Sequence, residues 1–163
     1  SGTPVIRAMP NTPAIVAQGA TAIAGGKHAR EEDFGTVQSL LRATGLVIKV
    51  PEDALDAVTA VSGSGPAYFY AVVEALTEAG VAQGLDRILA TQLAAQTFVG
   101  AARLLIESGD TPQSLRRRVS SPGGTTNAAL EAMSHAGLQD VISAGAKAAV
   151  ARAHEMAAEL TEG

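Results

Sequence analysis

A chain of 163 residues with a net charge of -4 is long enough for one good core, and it lacks the clustered positive charge that nucleic-acid phosphates require. It contains no cysteine, which removes disulfides and thiolate metal sites, and its three histidines, His28, His135 and His154, lack the i, i+4 spacing of a helical metal site. Aromatics are only 3% of residues although 47% are apolar, so alanine-rich helices that bury little area each need many contacts, and a second subunit is the natural source of them.

The first fifty residues read as strand-rich. Val5–Met9 is short, partly β-branched and stopped by Pro10. Ala20–Ala24 is a second candidate strand, closed by Gly25-Gly26, and Leu46–Val50 is a third, bounded by Gly45 and Pro51. Between the last two, Phe34, Val37, Leu40 and Leu41 recur at helical spacing, with acids at the start and Gly45 after the end, so Arg30–Thr44 reads as a helix. Three strands and one helix resemble the tail of an α/β domain.

From residue 52 onward the pattern is helical. Glu52–Val61 is a short helix, broken by Ser62-Gly63-Ser64-Gly65-Pro66. Pro66 then opens a helix to Val81, which ends near Gly84. Asp86 starts a long helix to about Glu107, whose apolar residues run round most of its circumference and leave only Gln92, Gln96 and Arg103 as a polar stripe. Such a helix is central in a bundle or covered by a partner. Its stripe and charged ends argue against a membrane span, and with no signal peptide visible the expectation is a soluble, cytoplasmic protein. Thr111–Val119 and Leu138–Leu160 are further helices.

The stretch Val119-Ser120-Ser121-Pro122-Gly123-Gly124-Thr125-Thr126 carries the most chemistry. It ends one helix, turns through a proline and two glycines, and opens another helix, Asn127–Ser134, with no capping box to close its first turn. Free N–H groups at the positive end of a helix dipole form a ready anion site, and two threonine hydroxyls lie beside it. An ordinary helix–turn–helix junction has the same outline. The run Arg116-Arg117-Arg118 suits the negative end of the preceding helix.

Three motifs together resemble a known family. Arg117–Thr126 followed by Ala128, Ala129, Leu130 and Met133 is similar to the signature of Δ1-pyrroline-5-carboxylate reductases, as are Met9-Pro10-Asn11-Thr12-Pro13 and the stretch from Asp56 to Tyr68. The resemblance covers essentially the whole chain. Members of that family begin with a dinucleotide-binding domain carrying a Gly-x-Gly-x-x-Gly fingerprint, and no such pattern occurs here. The expectation is a C-terminal portion: a mainly α chain, with residues 1–51 a three-stranded remnant of a Rossmann-like α/β domain and residues 52–163 a helical dimerisation and substrate-binding domain.

The resemblance implies reduction of the cyclic imine of pyrroline-5-carboxylate to L-proline with hydride from NADPH or NADH. It implies that Ser121 and the amides of Gly123, Gly124, Thr125 and Thr126 hold the substrate carboxylate. Thr126 is then the catalytic hydroxyl at the ring nitrogen, Glu52 and Thr59 approach the same pocket, and Met9, Pro10, Asn11 and Thr12 line the nicotinamide. No metal is required. It also implies a homodimer, with decamers frequent in the family, and a portion that lacks the main dinucleotide site and is inactive alone. Two alternatives stay open: a non-catalytic helical dimerisation module, and a related imine or β-hydroxyacid reductase. The second predicts a lysine in the middle of the helical domain, and Val58–Leu115 contains none.

Overall fold

The computed structural model describes residues 2–161. The chain is mainly helical, with one small sheet: β1 (Ile6–Met9), β2 (Gly19–Gly25) and β3 (Gly45–Lys49) lie in the order β1-β2-β3. β1 runs antiparallel to β2, with Ile6 opposite Gly25 and Met9 opposite Ala22. β3 runs parallel to β2, with Gly19 opposite Gly45 and Ile23 opposite Lys49. The parallel pair is joined by helix α1 (Glu31–Leu41) and a tight single turn, Arg42–Thr44, so the predicted helix to Thr44 ends in a 3-10 turn. A parallel connection needs such a crossover.

Seven helices complete the described residues: α1, then α2 (Leu55–Val58), α3 (Gly65–Ala82), α4 (Arg87–Ser108), α5 (Pro112–Arg118), α6 (Thr125–His135) and α7 (Leu138–Thr161). Three short turns escaped the sequence reading. Thr12–Val16 forms a 3-10 turn after β1, and the expected helix from Glu52 to Val61 is a 3-10 turn, then α2, then a wide turn over Thr59–Gly63. The chain divides into two compact units, one made of residues up to Tyr68 with those from Ile142 on, the other of Phe69–Val141.

In the first unit β2 is the centre, and its residues from Thr21 to Ala24 are buried. Successive strand side chains point to opposite faces. Ala22 and Ala24 pack against Leu55 of α2, with Met9, Val50 and Val58 around them. Phe34 of α1 covers the other face over Gly25, where a built Cβ would lie 2.6 Å from its ring edge. Lys49 stands 4.0 Å above that ring, a cation–π contact. Its ammonium also pairs with Glu31. From α7, His154 Nε2 lies 2.8 Å from Asp56 Oδ2.

In the second unit α3 and α4 form a helical hairpin. Phe69 and Phe98 meet across it with ring centroids 4.9 Å apart. Gly80 permits close approach, since a Cβ there would sit 3.2 Å from the Ala90 methyl. Asp86 caps α4 by accepting from the N–H groups of Ile88 at 2.9 Å and Leu89 at 3.2 Å. Only Ala90 and Ala94 of α4 are buried, whereas Ile88, Leu93, Leu104 and Ile106 are more than half exposed. At about 33 Å, α4 is the one helix among the described residues long and apolar enough to cross a bilayer.

Candidate functional site

The sequence-predicted site residues fall into two groups, one in each unit.

In the second unit, α5 ends with three arginines in its last turn, where cations meet the negative end of the helix. Arg118 is paired with Asp110. The chain then turns: Gly124 N–H donates to Ser121 C=O at 3.0 Å, across Gly123 at φ +72°. That φ lies in the left-handed region, where glycine carries no Cβ penalty. Gly124 is the N-cap of α6, with extended backbone and no side chain capping it. The first intrahelical bond is Ala128 N–H to Gly124 C=O at 3.2 Å. Thr125, Thr126 and Asn127 therefore present N–H groups with no acceptor among the described residues. The helix begins two residues earlier than its sequence pattern indicated, so Thr125 and Thr126 occupy its first turn rather than the preceding loop.

Gly124 has no room for a side chain, because a Cβ would lie 2.6 Å from Ser121 Oγ and 3.1 Å from Ser121 C=O. Thr126 is half-buried and Ser121 exposed. Beside the turn, α5, α6 and the start of α7 enclose an open hollow of about 640 Å³ that includes Arg116, Arg117, Ser120 and Asn127. Arg116 and Arg117, which have no ion pair among the described residues, line this hollow along the flank of α6 together with Glu131, whereas Thr125 and Thr126 do not line it. The uncapped first turn of α6 can hold a small carboxylate through main-chain nitrogens.

In the first unit, Met9, Asn11, Thr59 and Gly63 come together. Asn11 Nδ2 donates to Ser62 C=O at 3.0 Å, and its Oδ1 accepts from Ala20 N–H at 2.8 Å. Its carboxamide is thus committed at both ends within the protein. A Cβ on Gly63 would stand 2.7 Å from Met9 Cε. Thr59 Oγ1 donates to Leu55 C=O at 2.9 Å and keeps its lone pairs for a further donor. Glu52 accepts from Arg7 at 2.7 Å in an exposed ion pair. Pro10 and Thr12 are exposed at the end of β1. Arg7, Ser62 and Gly63 were not singled out from the sequence as site residues. Among the described residues no three His, Asp or Glu side chains converge as a metal site would require.

A mainly helical chain with an uncapped helix start after a Gly-Gly turn, together with a small Rossmann-like three-stranded remnant, defines the class by its fold. The family follows from comparison. Residues 52–156 match the family described as pyrroline-5-carboxylate reductase dimerisation, and the chain belongs to it. A pyrroline-5-carboxylate reductase of Mycobacterium leprae is 45% identical over 96% of this chain and 59% of its own length. The structure of a pyrroline-5-carboxylate reductase from Coxiella burnetii superimposes with a TM-score of 0.91 at 40% identity, covering 94% of this chain and 57% of that one. A Plasmodium falciparum pyrroline carboxylate reductase solved with NADP bound gives a TM-score of 0.87 at 31% identity, covering 96% of this chain and 63% of that one. The chain thus spans about three-fifths of the length of these relatives.

Proposed function

We propose that this chain supplies the substrate-binding and dimer-forming part of a pyrroline-5-carboxylate reductase. The observation that carries the reading is the uncapped first turn of α6, with three N–H groups left without an acceptor among the described residues behind Gly123 and Gly124. A substrate carboxylate seats there, held by the amides around Gly123, Gly124, Thr125 and Thr126 with Ser121 assisting. Hydrogen bonds to a charged group contribute about 1.5–3 kcal/mol each. Thr126 Oγ1 contacts the ring nitrogen and orients the proton that nitrogen gains. Thr59 and Glu52 are read as further substrate-contacting residues, with Arg7 paired to the Glu52 carboxylate.

The end of β1 fits one side of a nicotinamide pocket. Ligands of α/β sheets collect at strand C-terminal ends, and Met9, Pro10 and Thr12 stand at such an end with Pro10 and Thr12 exposed. A bound NADPH or NADH would supply the hydride that the imine carbon accepts. The chain's own task is orientation of the C=N group. The 163 residues contain no Gly-x-Gly-x-x-Gly, so by themselves they are expected to turn over no NADPH.

The exposed apolar side of α4 is the surface by which two copies pair. Coverage by the dimerisation family and the polar stripe of Gln92, Gln96 and Arg103 favour a protein partner over a bilayer. We further read residues 52–163 as the dimerisation and substrate domain, the cytoplasm as its location, and assembly of dimers into decamers as compatible with the family.

Calorimetric titration of the chain with L-proline tests the reading. Binding is expected, and loss of it in Thr126→Ala or Gly124→Val supports the turn as the site. A well-folded dimer that binds no L-proline favours the non-catalytic dimerisation module instead.

A further inference from the structure

Between α2 and α3 the backbone is almost one continuous helix: Val58, Thr59 and Ser64 all keep right-handed helical angles. In an unbroken α-helix the N–H of residue 66 would donate to the C=O of Ser62. Residue 66 is proline, which has no N–H and whose ring crowds the carbonyl four residues back. The chain widens by one residue to accommodate it. Ser64 N–H bonds to Thr59 C=O at 2.8 Å, five positions back, the signature of a π turn. Ser62 C=O is left with no donor from its own helix, and a half-buried carbonyl without a partner is costly.

The missing donor comes from 51 residues away. Asn11 Nδ2 reaches Ser62 C=O at 3.0 Å, while Asn11 Oδ1 is held by Ala20 N–H of β2 at 2.8 Å. Next to this link Met9 Cε fills the space over Gly63 that any Cβ would claim. Two motifs that lie far apart in sequence are therefore fastened at one point.

We propose that Asn11 is a positioning residue: its carboxamide stands in for the N–H that Pro66 lacks and holds the wide turn carrying Thr59 against the end of β1. The kinetic consequence rests on the reductase reading above, whereas the substitution for the proline N–H does not.

Two variants separate the parts. Asn11→Ala removes both bonds. Asn11→Asp keeps the acceptor for Ala20 N–H but loses the donor to Ser62 C=O. Chemical unfolding of this chain should show Asn11→Ala lowering the folded-to-unfolded ratio by about tenfold, the scale expected for an orphaned, partly buried carbonyl. In a Pro66→Ala background, where residue 66 regains an N–H, the same substitution should cost clearly less. Equal losses in both backgrounds overturn the assignment.

The second measurement uses an enzyme in which this chain follows the N-terminal part that its relatives carry. Asn11→Asp is expected to raise KM for the imine about tenfold with kcat nearly preserved, since each 1.4 kcal/mol of lost positioning is tenfold. Lowered stability with both constants unchanged overturns the positioning role and leaves the bond structural. Failure of the parent enzyme to reduce the imine defeats the functional reading, and the unfolding cycle then decides the link to Pro66 by itself.

Discussion

Gly124 shows how one missing side chain creates a site. Its Cβ would strike Ser121 Oγ at 2.6 Å and crowd the Ser121 carbonyl at 3.1 Å, so any substitution must open the turn that aims the α6 amides. Gly124→Val is expected to weaken L-proline binding at least tenfold. The helices themselves should survive, because the turn is exposed and α6 is held by its own backbone bonds. Calorimetry for affinity and circular dichroism for helix content check the two halves. Unaltered affinity in a folded variant would show that the carboxylate sits elsewhere. Thr126→Ala belongs beside it, since that change keeps the amides and removes only the hydroxyl. Expected is a smaller loss of affinity than in Gly124→Val, by about the worth of one hydrogen bond, 0.5–1.5 kcal/mol.

At the scale of elements, the hairpin of α3 and α4 makes an electrostatic prediction with a definite sign. Arg87 donates two hydrogen bonds to the Glu78 carboxylate, one of them at 3.0 Å. That hydrogen bonding first, and the charge of the guanidinium second, hold the Glu78 carboxyl below its ordinary value of 4.5 and raise Arg87. A carboxyl whose folded value is depressed stabilises the fold above its unfolded value, and the benefit fades as pH falls through the folded one. Glu78→Gln should therefore lower the unfolding midpoint slightly at pH 7, with the gap to the parent closing below about pH 4.5. The pair is solvent-exposed, so the effect is small and shrinks with salt. A gap that widened at low pH would contradict the sign.

These elements also mark what the sequence could tell and what it could not. Apolar periodicity and the punctuation by Gly45, Pro51, Pro66 and Asp86 placed the sheet and the long helices within a few residues, because each boundary has a local cause. The Gly-Gly turn was legible for the same reason: a bare helix start is written in the residues that fail to cap it. The early start of α6 was not, since Thr125 and Thr126 serve equally as loop residues or as a first turn. Arg7 with Glu52 and Asn11 with Ser62 were beyond local reading, because their partners lie 45 and 51 residues apart. Ser62 did carry a signal that could have been found: a proline four residues later announces an orphan carbonyl in any helix that continues through it.

The surface of α4 decides how a whole molecule is built from this chain. Ala90 and Ala94 face into the hairpin, while Ile88, Leu93, Val99, Leu104 and Ile106 remain exposed. At about 100° per residue, Leu89, Leu93 and Leu104 share one side, about a quarter-turn from the buried alanines, while Ile88, Val99 and Ile106 lie beyond the stripe of Gln92, Gln96 and Arg103. A contiguous apolar face of this kind marks an interaction surface rather than a solvated one. Burial of one leucine contributes about 1.5–3 kcal/mol, and two-fold symmetry places every substitution in the interface twice. Leu93→Glu should accordingly weaken the dimer at least ~100-fold, because it removes two buried leucines and introduces two charges that dislike desolvation. Sedimentation equilibrium over a concentration series reads that shift, and circular dichroism confirms that the helices persist. An unchanged association constant would place the interface on another face of the unit. If the face instead met lipid, the parent chain would float with neutral phosphatidylcholine vesicles and Leu93→Glu would not; a parent that dimerises in buffer and ignores the vesicles assigns α4 to its second copy.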